Sequence, residues 1–175
     1  MLNRLIDLII SFIDLFKFWE VVDDYEEAIV LRLGRWHRNL GPGFHFKIPM
    51  GCERVLSDTV TYAKLKLDPQ SLTTKDGKSV VISAVVGYTT KNIKKLLLKV
   101  ENANDVLEDA TYGFVTRYVL DHTWEELVTI QALEELTAMI RQRAFNWGIE
   151  VHDVTFKDET LSRSYRFFGS VSEDR

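Results

Sequence analysis

The densest run of chemistry-bearing side chains is Arg32-Leu-Gly-Arg-Trp-His-Arg-Asn-Leu-Gly-Pro-Gly-Phe-His-Phe-Lys-Ile-Pro49. It combines the cations Arg32, Arg35, Arg38 and Lys47 with two imidazoles, His37 and His45, and three aromatics, Trp36, Phe44 and Phe46. Such a set suits a phosphate cradle, a nucleic-acid patch, a metal-binding hairpin or an edge facing lipid or solvent. The phosphate cradle fails on spacing. Gly34, Gly41 and Gly43 follow neither GxxxxGK[ST] nor GxGxxG, and a turn stands where a strand-to-helix junction is required. Nucleic acid is opposed by Glu26 and Glu27 and by the whole-chain balance of 22 Lys+Arg against 26 Asp+Glu, a net charge of -4. A metal at His37 and His45 needs a further ligand, and His122 and His152 lie far off in sequence, so no metal is expected.

Catalysis is not expected either. Asp23, Asp24, Glu26 and Glu27 form a charge run, and such runs are usually solvated. Ser57-Asp58 and Cys52 have no histidine nearby in a nucleophile setting. A single cysteine excludes an internal disulfide and a CxxC site, and no cofactor motif is present.

The surviving use of the stretch depends on what precedes it. Leu2–Trp19, LNRLIDLIISFIDLFKFW, is far more apolar than the rest of the 175-residue chain. On a helix, Asn3, Arg4, Asp7, Ser11, Asp14 and Lys17 share an arc of roughly 140° at about 100° per residue. Leu5, Ile6, Leu8, Ile9, Phe12, Ile13, Leu15, Phe16 and Trp19 fill the remainder, with Ile10 and Phe18 intruding on the polar arc. Asp7 and Asp14 make a membrane span costly, by on the order of 2.5–3.5 kcal/mol each. On one face they fit an interfacial helix lying in one leaflet. A helix buried against the domain or a partner is the alternative, and a secretory signal fits badly. Arg4 and Lys17 are offset by the two aspartates, so insertion is expected to depend on apolar area more than on anionic lipid. The hairpin that follows then sets Arg32, Arg35, Arg38 and Lys47 toward headgroups, with Trp36, Phe44 and Phe46 anchoring it beside the bilayer. A charged solvent edge remote from any membrane is the plainer alternative.

From Val21 the period shortens. Ala28–Leu33 reads as a strand, Asn39–Gly43 as a turn and Phe44–Ile48 as the return strand, which pairs Trp36 near Phe46 and His37 near His45 if the turn is tight. Val55–Leu67 alternates, with Val60, Tyr62, Leu65 and Leu67 expected to contact the core or a neighbouring sheet. A second hairpin joins Ser71–Thr74 to Ser79–Thr89 through Lys75-Asp76-Gly77-Lys78. Helices follow over Ile93–Val100 and Asn104–Leu120, the second with Val106, Leu107, Ala110, Phe114, Val115 and Tyr118 inward. Thr123-Trp-Glu-Glu126 has capping-box spacing, Thr129 offers a second cap, and Gly148 a C-cap. Gly148–Lys157 alternates as a last strand. Strands, helices, then a strand predict an α+β fold.

Four of these stretches resemble one family in its own order. Tyr25–Pro49 is similar to an opening motif of R-x-G-[RK], a GPG turn and F-x-x-P. Leu72–Thr90 is similar to its T-x-D-G/N strand pair, Val100–Leu127 to its two central helices, and Trp147–Asp158 to its closing strand. Together they resemble the SPFH, or band 7 and prohibitin-homology, domain of stomatin- and prohibitin-like proteins, over about residues 21–158. The resemblance implies a membrane-associated helix, expected here over residues 1–20, ahead of the domain over 21–158; residues 159–175 read as a short polar tail. It also implies a non-catalytic scaffold, peripheral or monotopic on the cytoplasmic leaflet. Expected partners are membrane lipid, further copies of itself or related proteins, and a client such as an AAA-type protease or channel. A small adaptor or inhibitor binding such an assembly or its client, or a soluble lipid- or ligand-binding domain, is the alternative. The apolar stretch departs from stomatins in lacking proline. No long coiled coil follows Asp158, and Ser162 stands near where the family has proline, so a large cage is not expected.

Overall fold

The computed structural model describes residues 17–161. The helix expected over residues 1–20 lies outside the described residues up to residue 16, and the tail expected over 159–175 lies outside them from residue 162, its first three residues instead belonging to the last strand. Trp19 and Glu20, placed by the periodicity at the end of that helix, instead open a strand.

Among the described residues nine strands come in chain order: β1 (Trp19–Val22), β2 (Glu26–Arg32), β3 (Arg35–Leu40), β4 (Gly43–Phe46), β5 (Glu53–Thr59), β6 (Ala63–Lys66), β7 (Gln70–Thr73), β8 (Ser79–Thr90) and β9 (Ile149–Leu161). Between the last two lie α1 (Ile93–Lys99), α2 (Ala103–Asp121), α3 (Trp124–Leu127) and α4 (Ile130–Ala144). The expected α+β order of antiparallel strands, helices and a closing strand is the order observed.

The long strand β8 organises the larger sheet. One edge pairs with β7 and then β6, and the other pairs with β9 from Val80 to Thr90. Its run SVVISAVVGYTT buries Val80, Ile82, Ala84 and Val86. Against them pack Leu107, Val115 and Val119 of α2 and Leu136 and Ile140 of α4. The second hairpin forms as its Asp-Gly turn predicts, with Gly77 at φ 78°. Lys75 N–H donates to the His122 carbonyl at 3.0 Å, which ties this turn to the α2–α3 corner. The Thr123–Glu126 capping box forms, and the Thr129 hydroxyl accepts from Ala132 N–H, so the helical stretch breaks where its caps say it should.

The inward face of α2 is rotated from the expected one. Leu107, Thr111, Val115, Tyr118 and Val119 are buried, whereas Val106, Ala110 and Phe114 are only half-buried at the flank. The alternating stretch from Val55 also splits, into β5 and β6, and Tyr62 stands out of the core with its hydroxyl donating to Asp153 at 3.2 Å.

A smaller core lies beyond β2. Ile29 faces the main core, while Ala28 and Val30, on the other side of the strand, pack with Val22 and Leu40. Burial on both faces explains why β2 reads as a continuous apolar run, AIVL. Through Val22 this small core holds a separate two-stranded ribbon, β1 with β4.

The first hairpin corrects the sequence expectation. β3 pairs with β2, through a two-residue turn at Leu33 and Gly34 with φ 50° and 81°. Positive φ at both central residues matches the twist of a tight hairpin. Asn39–Gly43 is therefore no hairpin turn: it carries the chain from β3 to β4, which pairs with β1. Trp36 lies opposite Leu31, not Phe46, and His37 is skipped in a bulge opposite Val30 and Leu31, not set against His45.

Gly148 gives a test of this architecture. It ends the turn after α4 at φ 87°, its carbonyl accepts from Lys91 and Asn92, and a Cβ there would overlap the Asn92 carbonyl oxygen. A backbone oxygen cannot swing aside. Gly148→Ala should cost about 1–3 kcal/mol, read as a Tm lowered by several degrees; an unchanged Tm would contradict the packing described.

Candidate functional site

The ribbon is where the structure gathers the aromatics. In an antiparallel pair, residues directly opposite point to the same face. Trp19 lies opposite Phe46 and Val21 opposite Phe44, so these four share one face. Glu20, Val22 and His45 take the other. The shared face is open: Trp19 is 40%, Val21 60%, Phe44 57% and Phe46 65% exposed. Phe18 extends it, its ring 6.3 Å from Phe46 and nearly parallel, with its carbonyl accepting from Lys47 N–H at 2.9 Å. The Phe44 and Phe46 rings meet edge to face at 5.1 Å. Exposed apolar clusters of this kind mark interaction surfaces, and each such side chain gains on the order of 1–2 kcal/mol on leaving water.

Beyond Phe46 the apolar edge continues into two turns. Ile48 and Met50 are exposed, and Met50 adopts φ 63° beside Gly51 at 73°. Leu33 N–H donates to the Cys52 carbonyl at 2.9 Å, which sets the Leu33 and Met50 turns side by side. Both are large, exposed, apolar and in left-handed backbone, where a side chain costs of order 1–3 kcal/mol. Strain kept at two neighbouring exposed apolar tips adds them to the candidate surface.

The cations of this region are mostly spent inside the domain. Glu53 is 5% exposed, yet it accepts from Arg32 Nε at 3.0 Å and Arg32 Nη2 at 2.7 Å, and its other oxygen accepts from Ile48 N–H at 2.9 Å. Arg38 lies 3.9 Å from that second oxygen and donates to the Phe46 carbonyl. Burial pushes the Glu53 carboxyl up, but the Ile48 N–H, Arg32 and Arg38 outweigh it and hold it below the usual glutamate value. Lys47 pairs with Glu20 at 2.6 Å on the ribbon's inner face. Arg35 stays exposed at the hairpin, and Trp36 turns to α1, where Lys94 Nζ sits 3.3 Å from its ring centroid.

Of the residues singled out from sequence, Phe44 and Phe46 thus meet Trp19 on one face. Arg32, Arg38 and Lys47 brace that face from behind, and Trp36 lies apart. Leu5, Ile6, Leu8, Ile9, Phe12, Ile13, Leu15 and Phe16 lie outside the described residues. Phe18, Val21, Leu33, Ile48 and Met50 were not among the site residues expected from sequence. The alternation of Phe44, Phe46 and Ile48 with His45 and Lys47 was the available signal. Among the described residues there is no group of three His, Cys, Asp or Glu able to hold a metal, and no helix long and apolar enough to cross a membrane.

The described residues form an α+β domain that exposes an aromatic ribbon braced by internal ion pairs. The chain belongs to the SPFH domain / Band 7 family, whose sequence model matches residues 20–166. It is 33% identical to a band 7 protein of Drosophila melanogaster over 84% of this chain and 30% of that protein. It is 29% identical to protein HflK of Haemophilus influenzae over 78% of this chain and 34% of the relative. A stomatin homolog of Pyrococcus horikoshii is likewise 29% identical, over 81% of this chain and 54% of the relative. The chain therefore spans about a third to about half of these relatives' lengths.

The Glu53 pair sets a pH dependence. A carboxyl held low in the folded state contributes stability that is full above its unfolded pKa, about 4.3, and is lost as pH falls through the lower folded value. Glu53→Gln should therefore lower Tm at pH 7, and the difference should shrink as pH falls through the lowered folded value of the Glu53 carboxyl. A Tm difference that stays constant across this range would show that the carboxylate charge is not what matters.

Proposed function

We propose that this protein is a non-catalytic, membrane-associated scaffold whose ribbon lies against the bilayer and whose body associates with further copies or related SPFH proteins. The observation that carries this reading is the outer ribbon face: Trp19, Val21, Phe44 and Phe46 are exposed together at the point where the apolar N-terminal stretch enters the domain. The helix of residues 2–16 and the ribbon would then form one continuous contact. The apolar tips at Leu33 and Met50 widen it. Aromatic side chains favour the interfacial layer, where ring and headgroup coexist. Arg32, Arg38 and Lys47 are engaged with Glu53 and Glu20, which turns much of the region's positive charge inward and leaves Arg35 exposed at the hairpin. Attachment is driven by apolar area, from one leaflet, on the cytoplasmic side. Organising a membrane patch or regulating a membrane protein such as an AAA-type protease follows as the scaffold's work.

Vesicle flotation tests the reading. The full chain should float with phosphatidylcholine vesicles, and deletion of residues 1–20 should abolish it. Phe44→Ser/Phe46→Ser should weaken partition at least about tenfold, since each ring contributes on the order of 1.5 kcal/mol or more. Raising salt from about 0.05 to about 0.5 M should change binding less than about threefold. A chain that stays in solution, or one that binds only anionic vesicles at low salt, would refute this account.

A further inference from the structure

Two surfaces of the helical layer are left unused by the ribbon, and they are complementary. The first is an open groove of about 530 Å³ between α2 and the end of α4. Phe114 and Trp147 line it while packing against the main core behind. At Gly113 an added Cβ would meet nothing within 4 Å, so the helix wall is open there. Arg117 stands on one side and Arg143 on the other, the latter 5.3 Å over the Trp147 ring. Asp109 is the groove's acidic residue, and among the described residues neither arginine forms a salt bridge. The groove is an apolar trough with a net basic rim.

The second surface is a knob at the start of α4. Val128 is 56% and Ile130 77% exposed, which neither capping nor core packing requires. Glu134, one turn on from Ile130, shares its side of the helix, and Glu125 precedes it on α3. Neither glutamate forms a salt bridge among the described residues, whereas nearby Arg141 is engaged with the Val151 and His152 carbonyls of β9. Apolar tip and acidic rim match apolar trough and basic rim.

The two surfaces cannot meet within one copy. Ile130 and Arg143 sit at opposite ends of α4, about 20 Å apart along its axis. We propose that the Val128–Ile130 knob of one copy seats in the Gly113–Trp147 groove of the next, with Glu125 and Glu134 facing Arg117 and Arg143. This rests on the self-association in the reading above and assigns it a surface. Because the two patches differ, the contact is heterologous and repeats from copy to copy, closing into a ring or running on as a row.

Cysteine cross-linking of the full chain on phosphatidylcholine vesicles, in a Cys52→Ser background, tests it. The double variant Gly113→Cys/Ile130→Cys should give a ladder of dimers, trimers and higher species on oxidation. Each single variant should stay monomeric, and a mixture of the two singles should stop at dimers. Independently, Arg117→Glu/Arg143→Glu should cut the assembled fraction at least about tenfold, and adding Glu125→Arg/Glu134→Arg should restore it. Ladders from a single variant would mean a like-with-like contact and overturn the proposal. So would charge reversal without effect, or an assembled parent that never cross-links, although both leave self-association standing. A parent that stays monomeric on vesicles would overturn both.

Discussion

A strand presents successive side chains to opposite faces, and in the β1–β4 ribbon that alternation fixes everything outward of it. Val22 is committed to the small core with Ala28, Val30 and Leu40, and Glu20 to Lys47. With those two residues inward, Trp19 and Val21 can only face out, and pairing register carries Phe46 and Phe44 with them. A shift of one residue would bury the aromatics and expose Val22 and Glu20. The small core exists because β2 is buried on both sides, Ile29 toward the main body and Ala28 and Val30 toward the ribbon. One strand thereby links the bulk of the fold to its apolar edge.

Charge works behind this face more than on it. Glu53 gathers Arg32, Arg38 and the Ile48 amide at the point where the chain leaves the ribbon for β5. Its pairs are strong for surface contacts because the carboxylate is buried, although each arginine side chain is 43% exposed and solvent screens part of the gain. The consequence is mechanical. The ribbon's aromatics stand on a braced frame, and the left-handed turns at Leu33 and Met50 are held beside it by the Leu33–Cys52 hydrogen bond.

Much of the fold was legible wherever local chemistry was unambiguous. The Asp76-Gly77 turn, the caps at Thr123 and Thr129, and the left-handed stop at Gly148 all name their structure directly. The first hairpin was not legible, because Gly41-Pro42-Gly43 is a louder turn signal than Leu33-Gly34, yet leucine takes positive φ there. The ribbon was half legible. Phe44 and Phe46 stood out by type, but their partner strand, WEVV, is four residues long and continues an apolar helical pattern, so period alone could not separate it. The groove was obscured for a related reason. Val106, Ala110 and Phe114 fit an inward helical face as well as Leu107, Thr111 and Val115 do, and only the position of α4 decides between them.

The orientation of the ribbon is the central claim, and tryptophan depth reports it most directly. A full chain keeping Trp19 alone, with Trp36, Trp124 and Trp147 changed to Phe, would be bound to vesicles of brominated phosphatidylcholine beside a chain keeping Trp124 alone. The account predicts strong quenching of Trp19 and little of Trp124. Vesicle-bound protein in which Trp19 is no more quenched than Trp124 would contradict it, because the ribbon would then face away from the lipid.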